Sequence, residues 1–288
     1  MNVIEIRNLH KQYGSFSLQD VSFGVKQGFI TGLIGPNGSG KSTLIKMIMN
    51  IVVPDSGEIA VFGQKMPDCE KEIKQRIAFV PDESYYYEDL TIAEMKRIIA
   101  PFYKRWSEDV FQGYLEQFEL PANKKIKDLS KGMKMKFSLA LALSHETDLL
   151  IMDEPTAGLD PVFRRELLDI LAGLILDEQK SILFSTHITT DLDRIADYIT
   201  FLNRGQIVFS EAKDNVLERY VLVKGNKELL DRDTSQLFVG IRETGVGFEG
   251  LAANRSEAAS QFGAHAVLET PSLEDIMFFT VKGGGIRA

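Results

Sequence analysis

The stretch Gly35-Pro36-Asn37-Gly38-Ser39-Gly40-Lys41-Ser42-Thr43 decides the fold. It matches the pattern G-x-x-x-x-G-K-[ST], and from average residue usage such a match has roughly a 1% chance of arising in a chain of this length. A short apolar run, Phe29 to Ile34, precedes it, and a helix-like stretch from Lys41 to Asn50 follows with Leu44, Ile45, Ile48 and Met49 apolar. In that context the glycines let the backbone curl so that successive N–H groups point at phosphate oxygens. The helix start adds its positive end to the same anion. Lys41 is placed to reach the β- and γ-phosphates, and the Ser42 hydroxyl to bind Mg²⁺. The loop alone indicates a nucleoside triphosphate and says nothing of the task.

Further along, Leu149-Leu150-Ile151-Met152 runs into Asp153-Glu154. Parallel sheets bind ligands at the carboxyl ends of their strands. Asp153 is therefore a candidate for Mg²⁺ or its water, and Glu154 for the general base that polarises the attacking water. Without the upstream loop, the pair would read equally well as a strand leaving the core.

Around these two motifs the chain alternates strands and helices, which predicts a parallel α/β core. Antiparallel strands open it: Val3, Ile4, Ile6 and Leu9 lie in one run and Leu18, Val21, Phe23 and Val25 in the next, with Tyr13-Gly14 as the turn. Ile59 to Phe62, Ile77 to Val80 and Ile182 to Ser185 are further strand candidates, and Pro161 to Leu176 a long helix. Residues from about 83 to 144 read as a helical subdomain, with Phe111, Leu115 and Phe118 at helical spacing. Ile199 to Leu202 and Ile207 to Phe209 predict a hairpin through Asn203-Arg204-Gly205-Gln206. The composition shifts after residue 211, so residues 1–211 are expected to form a nucleotide-binding domain and 212–288 a small α+β appendage. In the appendage Tyr220 to Val223 and Leu237 to Ile241 read as strands, and Leu273 to Phe279 as a short helix or strand.

The 288 residues are 44% hydrophobic and 26% charged, with a formal net charge of −8. That acidic balance argues against a nucleic-acid binder, which shows a basic face; Lys124-Lys125-Ile126-Lys127 and Lys131 to Lys136 read as solvated faces. No run approaches the ~18 apolar residues of a membrane span. The N-terminus, MNVIEIRNLHKQYG, lacks the basic start and continuous apolar stretch of a secretory signal. A single cysteine, Cys69, precludes an internal disulfide and fits a reducing compartment.

Taken in order, these motifs resemble the ATP-binding cassette (ABC) family over about residues 3 to 210. Tyr13 stands where that family stacks an aromatic ring on adenine. Leu129-Ser130-Lys131-Gly132-Met133 resembles its signature, usually Leu-Ser-Gly-Gly-Gln. Asp153-Glu154-Pro155 closes the Walker-B strand, Ala157-Gly158-Leu159-Asp160 resembles the loop between subunits, and His187, after Phe184-Ser185-Thr186, resembles the switch histidine. The resemblance implies a P-loop NTPase core with an antiparallel β subdomain and a helical subdomain. It also implies ATP and Mg²⁺ as cofactors, and a head-to-tail homo- or heterodimer in which Ser130 and Gly132 meet the partner's nucleotide. His187 would sense the γ-phosphate. A separate membrane-spanning permease would be driven by an ATPase lying on the inner face of the cell membrane, in an exporter.

There are two departures. Asp82 stands where the family has a glutamine, and the signature carries Lys131 and Met133. Both are similar to variants in small bacterial transporters of the lantibiotic-resistance, cytolytic-peptide-export and acetoin-utilisation operon type. Asp82 is expected to act at the Mg²⁺ and water side of the site, the alternative being that it caps the next helix. Ser130 is itself a good N-cap for a helix from Met133 to Leu143. Tyr85-Tyr86-Tyr87 reads either as a docking groove for the membrane chain or as core. Rival functions are a soluble mechanoenzyme on ribosomes or DNA, disfavoured because the chain has one cassette and no coiled-coil insertion, and a regulatory module without turnover, disfavoured because Lys41, Asp153, Glu154 and His187 are all present.

Overall fold

The computed structural model describes residues 1–83 and 85–283. Its centre is a six-stranded sheet whose strands, apart from one edge strand, are largely buried on both faces, as expected where helices and a second sheet cover both sides. In spatial order these strands are β10 (Gln206–Ala212), β9 (Tyr198–Asn203), β3 (Ile30–Ile34), β8 (Ser181–Thr186), β7 (Leu149–Asp153) and β6 (Ile77–Val80). All pair in parallel except β10, which returns antiparallel on β9. The predicted hairpin turn is there, with Arg204 and Gly205 at φ 50° and 79°.

Successive residues of a strand point to opposite faces, so the two sides of this sheet belong to different cores. Leu149 and Ile151 face one side, where Leu33, Leu183 and α1 (Lys41–Ile48) meet a four-stranded antiparallel sheet. That sheet comprises β2 (Phe16–Lys26), β1 (Asn2–Tyr13), β4 (Ser56–Val61) and β5 (Gln64–Lys65), with α2 (Glu70–Lys74) leading on to β6. Cys69 precedes α2 and packs, half-buried, against this core.

Leu150 and Met152 face the other side, against α4 (Glu108–Gln117), α5 (Lys131–Leu143) and α6 (Pro161–Leu174). The helical region begins later than the sequence suggests. Residues 85–91 are non-helical, and the first helix, α3 (Ile92–Ile99), starts behind a Thr91–Glu94 capping box. Asp82 therefore caps no helix, which removes the structural alternative for that residue. Tyr86 donates to Ser138 Oγ at 3.0 Å and packs on Phe137, whereas Tyr85 and Tyr87 are exposed. The aromatic run thus divides between core and surface.

After β8 come α7 (Thr189–Ile195), then β9, β10 and α8 (Lys213–Arg219). The C-terminal region is α+β. An antiparallel sheet has the order β12 (Phe238–Glu243), β13 (Phe248–Ala252), β11 (Val221–Gly225), β14 (Val267–Glu269), with α9 (Arg255–Phe262) and α10 (Leu273–Lys282) packed on it. Leu273 to Phe279 is thus helix. One face of the sheet has its own small core of Val221, Val223, Phe248 and Phe262. Leu222, Leu251 and α10 join the large helical core.

Candidate nucleotide site

The site forms where β3, β7 and β8 end. Gly40, just ahead of α1, adopts φ 110°, a conformation open to glycine. A Cβ there would meet Leu18 Cδ2 at 2.7 Å and Phe16 Cζ at 2.8 Å. The loop is therefore pressed onto β2 at Gly40, where there is no room for a side chain. Lys41 is buried and donates to Gly35 O at 2.8 Å and Pro36 O at 3.4 Å, so its stem folds back over the loop.

From Lys41 a chain of polar contacts crosses the site. Its Nζ lies 3.2 Å from Glu154 Oε1. The other carboxylate oxygen, Glu154 Oε2, accepts from the His187 backbone N–H at 3.2 Å and lies 2.7 Å from His187 Nδ1. Glu154 occupies a left-handed conformation, φ 49°, just past the end of β7, uncommon for a residue with a Cβ. Its N–H is held by Ser185 O at 3.0 Å and Ser185 Oγ at 3.2 Å. Asp153 is buried, and Ser185 Oγ donates to its Oδ1 at 2.5 Å.

These groups surround a cavity of ≈ 600 Å³, lined by the loop from Asn37 to Thr43 with Phe16, Asp82, Glu154, Ala157 and His187. Asp82 is exposed at its mouth. Partial desolvation, then repulsion from Asp153, lifts its carboxyl above the usual range, and the Lys131 charge opposes the rise. A larger cavity, ≈ 680 Å³, lies where the chain enters β7 and β8 and includes Trp106 and His145. It has neither phosphate loop nor strand carboxyl ends, so the smaller one is the candidate nucleotide site.

The structure thus brings together Asn37, Gly38, Ser39, Gly40, Lys41, Ser42, Thr43, Asp82, Glu154 and His187, with Gly35 and Pro36 behind Lys41 and Asp153 beneath Glu154. It does not bring in three others. Tyr13 ends β1, 44% exposed, with Lys11 Nζ 5.5 Å from its ring centre, and does not line the cavity. Ser130 caps α5 by accepting from Met133 N at 3.2 Å, and neither it nor Gly132 lines the cavity. Two contributors escaped the sequence reading. Phe16 is an aromatic at the start of β2 with nothing local to mark it. Ser185 was legible only as part of the strand before His187.

A phosphate loop opposed by a carboxylate and a histidine can hold a triphosphate and activate water beside it. Residues 18–157 match the ABC transporter family. The chain is 31% identical over 223 residues to the ABC transporter ATP-binding protein YtrB of Bacillus subtilis, spanning 77% of this chain and 76% of that one. The chain belongs to the ABC transporter family. It is an ATP-binding and ATP-hydrolysing subunit of that family. A second relative, the Nod factor export ATP-binding protein I of Burkholderia orbicola, is 33% identical over 221 residues, 75% of this chain and 72% of that one. Among solved structures, a dimeric bacterial ABC transporter cassette superposes with a TM-score of 0.65 at 26% identity, over 73% of this chain and 98% of that chain. Among the described residues no helix of this cassette is long and apolar enough to cross a membrane.

Proposed function

We propose that this cassette binds Mg²⁺-ATP in the ≈ 600 Å³ cavity, closes on a second cassette around two nucleotides, and so drives a separate membrane-spanning chain in export. The observation that carries the reading is the contact chain Lys41–Glu154–His187 across the phosphate loop. Lys41 is the cation for the β- and γ-phosphates, supported by the loop amides and the start of α1. Glu154, held at both carboxylate oxygens, is the base that takes a proton from water. His187, tied to Glu154 by ring and backbone, reports the γ-phosphate. Tyr13 lies outside the cavity, at the end of β1, where an adenine could extend from the phosphates.

The residues also fit Mg²⁺. Among the described residues no three His, Cys, Asp or Glu cluster into a cage. A cation that keeps its waters and is held by one or two protein oxygens plus phosphates needs none. Ser42 and Asp153 would hold it, with Asp82 at the mouth. A cation bound there would supply positive charge to offset that of the phosphates.

Ser130 and Gly132 belong to the partner's nucleotide. They lie on the exposed start of α5, whose N-terminus favours an anion. Gly132 supports this independently. A Cβ there would meet only Phe163 Cδ1 at 3.8 Å and Ser130 Oγ at 4.0 Å, so nothing within one subunit demands glycine. Export is supported by the Burkholderia relative, a Nod factor export protein, and pairing by the dimeric neighbour. The exposed rings of Tyr85 and Tyr87 suit docking of the membrane chain and support a position at the cytoplasmic membrane face.

The test is Glu154→Gln. It should bind ATP, hydrolyse it at least ~100-fold more slowly, and elute as a dimer in Mg²⁺-ATP but as a monomer without it. A variant that hydrolyses ATP at the parent rate would overturn the reading.

A further inference from the structure

We propose that Ser185 is a positioning residue of the ATPase site, its hydroxyl fixing Asp153 and Glu154 relative to one another. This rests on the reading above of Asp153 as metal ligand and Glu154 as base. Ser185 lies on β8, fully buried, directly opposite Asp153 in the parallel register of β7 and β8. A hydroxyl has one proton to give. Here it goes to Asp153 Oδ1 at 2.5 Å, and the oxygen then accepts the Glu154 N–H at 3.2 Å. The bonds therefore run one way, from Glu154 N–H through Ser185 Oγ–H to Asp153, and such chains polarise one another.

Two consequences follow for the chemistry. Asp153 Oδ1 accepts the Ser185 hydroxyl, which limits the orientations its carboxylate can take, while lone pairs on both oxygens are left for a metal. Glu154 is pinned twice by the same residue, through Ser185 O at 3.0 Å as well as Oγ. That holds it in its left-handed conformation while its side chain meets Lys41 and His187. The next residue does a different job: Thr186 Oγ1 accepts from Ile188 N at 2.9 Å and turns the chain towards α7. Ile182, Leu183 and Phe184, upstream on β8, are apolar and buried, so Ser185 supplies the first hydroxyl after the strand's hydrocarbon middle, level with Asp153.

The experiment measures Mn²⁺ affinity by electron paramagnetic resonance in the full-length chain loaded with the imido analogue of ATP, together with analogue affinity in EDTA and the melting temperature. Ser185→Ala should weaken Mn²⁺ about tenfold, the scale of a lost hydrogen bond to a charged group. It should leave analogue affinity in EDTA within about twofold of the parent. Ser185→Cys, a weak donor of similar size, should fall between. If Ser185→Ala does not fold, Ser185→Cys decides: weakened Mn²⁺ supports the proposal and parental affinity overturns it. Parental Mn²⁺ affinity in Ser185→Ala, with Asp153→Ala impaired, overturns the positioning role alone. Parental affinity in Asp153→Ala as well would remove the reading of the acidic pair on which it stands.

Discussion

Asp82 shows how much one carboxyl can be asked to do. It stands at the mouth of the cavity beside Asp153 and Glu154, with Lys131 as the opposing charge. An amide there would carry no charge, so Asp82→Asn isolates the electrostatic contribution. No helix starts at Asp82, since Thr91 caps the next one, and the substitution should leave the fold alone. Asp82→Asn is expected to raise the Mg²⁺ concentration for half-maximal ATPase and lower the maximal rate at unchanged melting temperature. An unaltered Mg²⁺ titration would end the catalytic reading of this residue. Legibility at this scale followed chemistry. Lys41, Asp153 and Glu154 were readable because phosphate, metal and water each demand a residue type at a fixed place on a strand or loop. Ser185 and Phe16 were not, because their roles depend on cross-strand register and on the fit between sheet and loop, which leave no local pattern.

Among elements, α5 carries two separable jobs at its two ends. At its start, Gly132 costs helix stability of up to about 1 kcal/mol relative to alanine, with only ordinary contacts awaiting a Cβ. Gly132→Ala should therefore melt no lower than the parent and bind ATP as well when monomeric, yet dimerise less readily in the Glu154→Gln background. Dimerisation as ready as the parent's would show that Gly132 does not face a partner. Just past its end, His145 ties the helical layer to the central sheet: its Nε2 lies 3.1 Å from Ile77 O, and its ring stacks on Tyr103 at 3.8 Å. Burial holds its pKa below the usual imidazole value, against the pull of the Ile77 and Leu141 carbonyls. The folded chain thus binds this proton less readily than the unfolded one, so stability is full above the ordinary value of about 6.5 and is lost as pH falls below it. His145→Gln, which keeps a donor for Ile77 O, should flatten the acid side of the urea-midpoint profile between pH 7.5 and 5. Parallel profiles would rule His145 out as the titrating group. Strands and long helices were readable here from apolar runs and periodicity. The short elements α2, α7, α8 and α9 were missed because so few turns carry too little periodicity.

For the whole molecule, the open question is whether the C-terminal region is an appendage or part of the cassette's core. The composition shift near residue 211 suggests an appendage, whereas α10 packs into the cassette's large core. Leu273, Ile276 and Phe279 of α10 are buried in the same cluster as Leu192 of α7, Phe209 of β10, Val216 of α8 and Tyr220. Polar groups meet at the seam: Lys213 Nζ donates to Asp193 O at 2.9 Å, and burial lifts the Asp193 carboxyl above its usual range while the Leu273 N–H at the start of α10 draws it down. Fully burying a residue of this size contributes roughly 1.5–3 kcal/mol, so three on α10 amount to about 5 kcal/mol or more, comparable with the net stability of a domain. Two units sharing that much surface should unfold together. Calorimetry of the full chain is expected to show one transition, and Phe279→Ala, which should cost about 3–5 kcal/mol, should lower that whole transition without splitting it. If Phe279→Ala instead produced a separate early transition that left ATP binding intact, the C-terminal region would be an independent domain resting on the cassette. A single lowered transition would mean that the strand end bearing His187 and the C-terminal sheet are held by one core, so that a load on the sheet reaches α7 without a hinge between them.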